Sequence, residues 1–213
     1  MQPDLIFSLI VLIISVILHE VAHGYMANWL GDPTARLQGR LTLNPLSHID
    51  MVGSILLPAI LVFTGSPFLI GYAKPVPYNP YNLKGKYAEL LVAFAGPGTN
   101  ILLAVIFGFL IRFGGVAMSL PMLTAFAVIV VVNLRLALFN LIPIPPLDGS
   151  KVLSGLLGSN NAVGRAYDSF RANFEQFGVL SGTLLILIIF YWLSPYFSAL
   201  WVAAFQLITG VTL

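Results

Sequence analysis

The stretch LIFSLIVLIISVILHEVAHGYMANWL, residues 5–30, decides the fold of this chain. Its roughly 26 residues would form a helix about 39 Å long at 1.5 Å per residue, which is enough to cross a bilayer. The sequence GDP at residues 31–33 then ends the helix. Three ionisable residues, His19, Glu20 and His23, nevertheless lie in the second half of this apolar run. The sequence therefore predicts a membrane-spanning helix that carries a polar site.

These ionisable residues have the spacing of a metal site. An ionisable side chain inside a membrane span costs at least a few kcal/mol, so it usually faces a polar cavity and serves a function. Residues i and i+4 lie on one face of a helix, so His19 and His23 can both direct an imidazole at one zinc ion. Glu20 lies beside them, where a carboxylate can act as general base, as in HExxH zinc hydrolases. The alternative is that the histidines only hydrogen-bond to neighbouring helices.

The composition of the remaining chain also indicates a membrane protein. Of its 213 residues, 58% are hydrophobic and 8% are charged, and the mean hydropathy is +0.93. Water-soluble domains of this size are far more polar. The net charge of +2 is too small and too dispersed for nucleic-acid binding, and the absence of cysteine excludes thiolate zinc ligands. Because no basic segment precedes the first apolar run, we expect that run to be retained as a helix rather than cleaved as a signal peptide.

Hydrophobic periodicity and breaker residues divide the chain into further segments. Residues 34–50 alternate polar and apolar, which predicts an extended ribbon. Residues 51–73 are apolar but interrupted by proline and glycine. Continuous apolar spans follow at residues 90–111 and 116–141. Residues 177–213 contain no charge and a Ser-Pro step near the middle, which predicts a helical hairpin.

The segments together predict an all-α polytopic membrane protein. We expect about five to six transmembrane helices, a re-entrant or hairpin segment and a short membrane-associated β ribbon. One integral-membrane domain would cover residues 1–213, with its core over about residues 5–153 and the hairpin over about residues 177–213.

A catalytic zinc ion usually has three protein ligands and an open position, so the two histidines need one partner. Asp148 is favoured because it follows the proline-stiffened segment NLIPIPPL, residues 140–147, and precedes Gly149, which permits close backbone approach. Capping of a helix that starts near Lys151 explains Asp148 equally well on local sequence. The remaining candidates are His48 and the interfacial or loop acids, for which a solvated charge is the ordinary explanation: Asp4, Asp32, Asp50, Glu89, Asp168 and Glu175.

A shared metal would fix the topology. If Asp148 lies at the membrane face where the first helix ends, the two intervening spans require residues 51–73 to cross the membrane zero or two times. Most basic residues then fall on that face, and Arg112 falls on the other. By the positive-inside rule, we expect the site to face the cytoplasm and the N-terminus to lie outside.

Several motifs carry a resemblance to a known family. They are HEVAH at residues 19–23, GRLTLNPLSHID at 39–50, GYAKPVP at 71–77, AGPGTN at 95–100 and NLIPIPPLDG at 140–149. Through them the chain resembles the site-2 protease family of intramembrane zinc metalloproteases, in its small form without PDZ and CBS domains. The resemblance implies that His19, His23 and Asp148 bind zinc and that Glu20 is the catalytic acid/base. It also implies that Asn140 holds substrate or stabilises the oxyanion.

Other polar residues have open interpretations. Asn100 can stabilise an oxyanion as an amide donor, or it can hydrogen-bond across a helix interface that the neighbouring glycines bring close. His48 is interpreted as an interfacial residue that caps local backbone, with a role beside the metal or as a ligand as alternatives. The irregular ribbon between residues 34 and 81 offers unpaired backbone for binding an unwound substrate by strand addition.

These features predict an intramembrane zinc endopeptidase with one catalytic Zn²⁺ that cuts transmembrane segments of membrane proteins. The expected partners are transmembrane protein substrates and the lipid bilayer, with no nucleic acid and the oligomeric state left open. The family resemblance implies a prokaryotic cell membrane as the location. A metal transporter and a non-proteolytic zinc-binding membrane protein are the alternatives. A transporter is disfavoured because the later spans contain no acid or histidine that would mark a transport path.

Overall fold

The computed structural model of the protein describes residues 5–56, 59–60, 63, 72–176 and 178–212. This part of the chain consists of helices, turns and irregular segments, and it contains no β-strand. Its helices are α1 (Leu5–Trp29), α2 (Thr34–Leu37), α3 (Ala88–Gly114), α4 (Leu120–Asn140), α5 (Asp148–Leu157), α6 (Ala162–Glu175) and α7 (Gly178–Thr209). The expected all-α architecture is confirmed.

Within the described residues, α1, α3 and α4 are long and apolar enough to cross a membrane. Helix α3 packs against both α1 and α4, and the described end of α7 packs against α3 and α4. Buried apolar side chains fill the interface of α3, α4 and α7: Ala104, Ile111, Val130, Leu134 and Phe205. Large apolar side chains such as Ile10, Ile14 and Phe109 are exposed on the outside of the bundle. An apolar exterior of this kind requires lipid rather than water, so the chain is an integral membrane protein.

The C-terminal segment differs from the predicted hairpin. Gly178–Thr209 is one helix, α7, with Pro195 inside it, so the hairpin prediction for residues 177–213 is wrong. A proline inside a helix removes one backbone hydrogen bond. A turn in an apolar segment would leave several backbone groups without partners, which is worse where water is absent.

The extended ribbon predicted for residues 34–50 is also wrong over part of its length. Thr34–Leu37 is helix α2, and Pro45–His48 is a turn of 3-10 helix. Asp32 accepts hydrogen bonds from the backbone N–H of Thr34 at 3.2 Å and from its hydroxyl at 2.5 Å. Side-chain acceptors of this kind favour the start of a helical turn, and they outweigh the alternation of polar and apolar residues.

The apolar segment 51–73 lies partly outside the described residues, but its two ends meet. Met51–Leu56 forms a π-helical turn. The N–H of Tyr72 donates to the carbonyl of Gly53 at 3.1 Å, and the Ser54 hydroxyl donates to the carbonyl of Tyr72 at 2.9 Å. Tyr72 therefore lies beside Gly53 and Ser54, so the two ends of this segment are adjacent.

Candidate metal centre

His19, His23 and Asp148 form the one cluster of potential metal-binding side chains in the described part of the chain. The Nε2 atoms of the two imidazoles lie 3.1 Å apart. Asp148 Oδ2 lies 3.1 Å from His19 Nε2 and 3.3 Å from His23 Nε2. Both histidines are buried, with 6% and 8% of their surface exposed. The structure thus brings together three residues of which His23 lies 4 positions and Asp148 129 positions after His19 in the sequence.

The hydrogen bonds behind the imidazoles determine which nitrogen faces the cluster. His19 Nδ1–H donates to Asn100 Oδ1 at 2.7 Å, and His23 Nδ1–H donates to the carbonyl of Val92 at 2.6 Å. In the neutral tautomer that satisfies both acceptors, each Nε2 presents a lone pair. Two lone pairs and a carboxylate oxygen within 4.8 Å of one another repel unless a cation lies between them. Nitrogen and oxygen donors in this number fit zinc.

Glycine at position 96 makes room for both imidazoles on the neighbouring helix. A Cβ atom there would lie 2.6 Å from His23 Cε1 and 2.7 Å from His19 Cε1, both shorter than real Cβ contacts. The backbone of α3 can therefore approach the HExxH face of α1 only where a side chain is missing. From sequence alone, Gly96 is one of the glycines beside Asn100 that let two helices approach; its contact with the metal-binding side chains was not predicted.

Asp148 reaches the histidines because α5 starts tightly against the preceding loop. It is the first residue of α5, and the cap position is Leu147, with no side-chain capping bond. The interpretation of Asp148 as a cap for a helix near Lys151 is therefore wrong. A Cβ atom at Gly149 would lie within 3 Å of the carbonyl oxygens of Leu141 and Ile142, so glycine permits the close backbone approach that the sequence predicts.

A chain of buried amides continues from His19 into the bundle. Asn100 Nδ2 donates to Asn133 Oδ1 at 2.8 Å, and Asn133 Nδ2 donates to the Ser15 hydroxyl at 3.0 Å. Asn100 and Asn133 are fully buried, and Ser15 is 3% exposed. Asn100 therefore hydrogen-bonds across two helix interfaces, as the second interpretation of this residue predicts: its carbonyl oxygen holds His19 of α1, and its amide nitrogen donates to Asn133 of α4. Sequence reasoning missed Asn133 and Ser15, although a lone amide in the apolar run VVVNL is a detectable signal.

Glu20 lies on α1 between the two histidines and is half-buried. Its Oε2 atom accepts a hydrogen bond from the backbone N–H of Val76 at 3.0 Å. The irregular segment after Tyr72 therefore reaches the HExxH helix at the candidate base.

Asn140 and His48 take no part in the three-residue cluster. Asn140 is the last residue of α4, and its Nδ2 donates to the carbonyl of Leu136 at 3.0 Å. His48 is buried, and its Nε2–H donates to the carbonyl of Thr42 at 2.8 Å. The interpretation of His48 as a residue that bonds local backbone is confirmed.

Two histidines of an HExxH helix that meet a distant carboxylate among membrane helices are typical of an integral-membrane zinc metallopeptidase. Comparison with known proteins gives the family. The model of peptidase family M50 matches residues 114–189. A protein of Bacillus subtilis (strain 168) named "Putative zinc metalloprotease YwhC" is 41% identical over 160 residues, covering 71% of this chain and 69% of YwhC. This chain belongs to peptidase family M50, the site-2 protease family, as its motifs predict.

More distant relatives have the same kind of name. "Putative zinc metalloprotease Rip2" of Mycolicibacterium smegmatis is 30% identical over 137 residues, which are 64% of this chain and 52% of Rip2. The chain thus spans about half the length of Rip2. "Putative zinc metalloprotease Rip3" of Mycobacterium tuberculosis (strain H37Rv) is 39% identical over 71 residues, or 18% of Rip3. No solved structure matches the chain significantly. The predictions of a metallopeptidase and of zinc as its metal are confirmed.

Proposed function

We propose that this chain is an intramembrane endopeptidase that hydrolyses peptide bonds in or near transmembrane segments of other membrane proteins. It would use one zinc ion held by His19, His23 and Asp148. The observation that carries the proposal is the convergence of two imidazoles and one carboxylate among membrane helices, with Glu20 beside them. Three protein ligands leave a fourth position open, which is the arrangement of catalytic rather than structural zinc sites.

The chemistry follows from the ligand set and from Glu20. Bound zinc lowers the pKa of its water ligand to about 7 and polarises a carbonyl group. Glu20 would accept the proton of the attacking water and return it to the leaving amine. The Val76 N–H holds Oε2, and we assign the proton to the other carboxylate oxygen, Oε1. The two histidines stay in place through their own hydrogen bonds to Asn100 and to the carbonyl of Val92.

The two asparagines are assigned different tasks. Asn140 uses one amide hydrogen for Leu136, so its second amide hydrogen is left for a substrate carbonyl or an oxyanion. Asn100 has both of its amide atoms engaged, with His19 on the oxygen and with Asn133 on the nitrogen. We therefore assign Asn100 to orienting His19, and the oxyanion role to Asn140.

The proposed topology has the site on the cytoplasmic side, the N-terminus outside and five to six spans. Asp148, after α4, meets the second half of α1, which supports an even number of crossings by residues 51–73. The hydrogen bonds that join Gly53 and Ser54 to Tyr72 support the same conclusion. The basic residues near the metal-side ends of the helices then favour the cytoplasm by the positive-inside rule, in a prokaryotic cell membrane.

The substrates would be membrane proteins whose spans unwind locally, since a carbonyl inside a helix is not free to be attacked. The test uses the purified full chain, a single-span test protein and metal analysis. We expect Glu20→Gln to keep about one zinc per chain and to lower cleavage by at least about 100-fold, because the general base is lost. We expect Asp148→Ala to lose both zinc and cleavage, because one ligand is missing.

The alternatives give different results in the same experiment. Equal cleavage by wild type and Glu20→Gln would contradict the proposed mechanism. Zinc binding without cleavage by wild type would favour a non-proteolytic zinc-binding protein. Zinc uptake into vesicles that depends on Asp148 would favour a transporter.

A further inference from the structure

Residues 74–79 form an irregular segment that runs past the Glu20 face of α1, and we call this segment the strap. Its sequence is KPVPYN, in which the two prolines fix the backbone and provide no N–H. Side chains from four separate parts of the chain hold it. They are Glu20 of α1, Asp32 after α1, Arg40 after α2 and Lys151 of α5.

The two ends of the strap are fixed by charged side chains. Arg40 Nη2 donates to the carbonyls of Lys74 at 3.0 Å and of Pro75 at 3.4 Å. At the other end, the N–H of Asn79 donates to Asp32 Oδ2 at 2.6 Å. Hydrogen bonds to charged groups are stronger than neutral ones, so both ends are anchored well.

The middle of the strap contacts α1 through Val76. Its side chain is 5% exposed. A Cβ atom at Gly24 would lie 2.7 Å from Val76 Cγ1, so the missing side chain at Gly24 lets the strap lie against α1. Gly24 is one helical turn after Glu20, on the same face. This packing brings the Val76 N–H to within 3.0 Å of Glu20 Oε2.

A fourth contact ties the strap to the helix of the aspartate ligand. Lys151 Nζ donates to the Tyr78 hydroxyl at 3.0 Å and lies 5.0 Å from the centre of the Tyr78 ring. Burial lowers the pKa of Lys151, but Tyr78 and the carboxylates of Asp148 and Glu89 outweigh it and raise that pKa. Lys151 therefore stays a charged donor, and the strap is held between α1 and α5.

We propose that the backbone N–H of Val76 is the positioning group for the catalytic base Glu20 and that the strap holds this N–H in place. The inference rests on the proposed role of Glu20 in peptide hydrolysis. A glutamate side chain has several rotatable bonds, and its freedom must be restricted before its carboxylate can receive a proton in one direction. A misplacement of about 1 Å can reduce a rate by about 100-fold. With Oε2 fixed by the strap, Oε1 has a defined direction.

The simpler explanation is that Glu20 only satisfies an otherwise unpaired N–H. In that case, loss of the bond lowers stability but leaves the turnover of the folded, zinc-loaded enzyme unchanged. The matched pair Val76→Pro and Val76→Ala separates these explanations. Both substitutions reduce the packing of the buried valine side chain, but only Val76→Pro removes the backbone N–H. Arg40→Gln and Arg40→Lys form a second pair, which acts on the strap at a distance from Glu20.

The experiment measures zinc content, melting temperature, kcat and KM of the full chain with a single-span test protein that the wild-type enzyme cuts. We expect kcat of Val76→Pro to be about 10- to 100-fold below that of Val76→Ala, with equal zinc content and KM within about twofold. If Val76→Pro does not fold or bind zinc, the comparison of Arg40→Gln with wild type tests the positioning role instead. Its kcat should fall at least about fivefold at full zinc content, and Arg40→Lys should restore part of the loss.

Equal kcat values within each pair at full zinc content would overturn the positioning role. If the zinc-loaded wild type cuts no single-span test protein, the proposed function is overturned, together with this inference. A second measurement does not depend on cleavage. In protein labelled with ¹⁵N-valine, the amide hydrogen of Val76 should exchange at least about tenfold faster in Glu20→Ala than in wild type. An unchanged exchange rate would show that the hydrogen bond to Glu20 does not form.

Discussion

Two regions meet at Glu20, and they are built in opposite ways. On the bundle side, side chains of α1, α3 and α4 bond to one another in a buried line from His19 through Asn100 and Asn133 to Ser15. On the strap side, the groups that face the site belong to the backbone, and side chains from elsewhere hold them. The bundle can fix metal ligands because rigid helices present them. The strap can fix a carboxylate because its own backbone is anchored at both ends.

The first prediction concerns the bundle side, at the close contact between Gly96 of α3 and the two histidines of α1. Gly96→Ala would place a methyl group within 3 Å of both imidazoles, so α3 and α1 must separate or the histidines must move. We expect zinc affinity to fall by about 100-fold, at the upper end of what outer contacts of metal ligands contribute. Competition with a chelator measures the affinity.

Gly98→Ala is the matched control for this change. Its Cβ atom would lie 3.1 Å from the ring of Phe94, a side chain that can shift. Its zinc affinity should stay within about threefold of wild type. If both variants bind zinc equally well, Gly96 is not what determines the approach of α3 to the histidines.

The second prediction ranks the effects on zinc affinity of removing Asn100, Asn133 and Ser15, the three buried polar side chains behind His19. Asn100→Leu removes the acceptor of His19 and should lower zinc affinity by about 10- to 100-fold. Asn133→Leu leaves that bond intact but removes the shorter of the two hydrogen bonds that Asn100 Nδ2 donates, so we expect a loss of about 10-fold. Ser15→Ala removes one outer hydrogen bond, for which intramembrane values of about 0.6 kcal/mol predict a loss of roughly threefold. Zinc titration of the three purified variants would contradict the order if Ser15→Ala had the largest effect.

The third prediction concerns stability and the anchor of the strap at Asp32, which is fully buried. Burial raises the pKa of this carboxyl, but hydrogen bonds from Asn82, Thr34 and the Asn79 N–H outweigh it, so the pKa lies below its ordinary value. A group with a lowered pKa stabilises the fold above its unfolded pKa of about 3.9 and loses this contribution as the pH falls through the folded pKa.

We therefore expect Asp32→Asn to lower the free energy of unfolding by about 2 kcal/mol at pH 7, with a smaller difference from wild type below about pH 4. Thermal unfolding of the metal-free protein from pH 7 to about pH 3 measures this. A difference that stays constant over that range would mean that the charge of Asp32 does not anchor the strap.

The same contrast explains how much the sequence could predict. His19 and His23 follow from the i, i+4 period of a helix. Asp148 is favoured by its place after a stiff proline segment, but local sequence explains it equally well as a helix cap, and only the family resemblance implies that it is a ligand. The contacts of Asn133 depend on how α1, α3 and α4 pack, which no local period records. A lone amide in an apolar span still marks it as a candidate for an internal hydrogen bond.

The strap was harder to predict because irregular backbone has no period at all. Its prolines indicate a stiff loop, but the contacts with Arg40, Asp32 and Lys151 come from parts of the chain far apart in sequence. The ribbon predicted for residues 34–50 and the hairpin predicted for residues 177–213 failed for a related reason. In each case a local signal, either alternation or a single proline, was weaker than the hydrogen-bonding needs of the backbone around it.

The two prolines of the strap also limit which backbone hydrogen bonds the strap can form with a bound polypeptide. Pro75 and Pro77 have no amide hydrogen, and the Val76 amide hydrogen is directed at Glu20. An antiparallel ladder needs donors and acceptors from both partners, so residues 75–77 cannot provide the strand addition expected of the ribbon between residues 34 and 81. This edge can offer only carbonyl oxygens. A polypeptide bound along it must therefore supply the N–H groups itself, and a proline in the polypeptide at a pairing position would remove one of them.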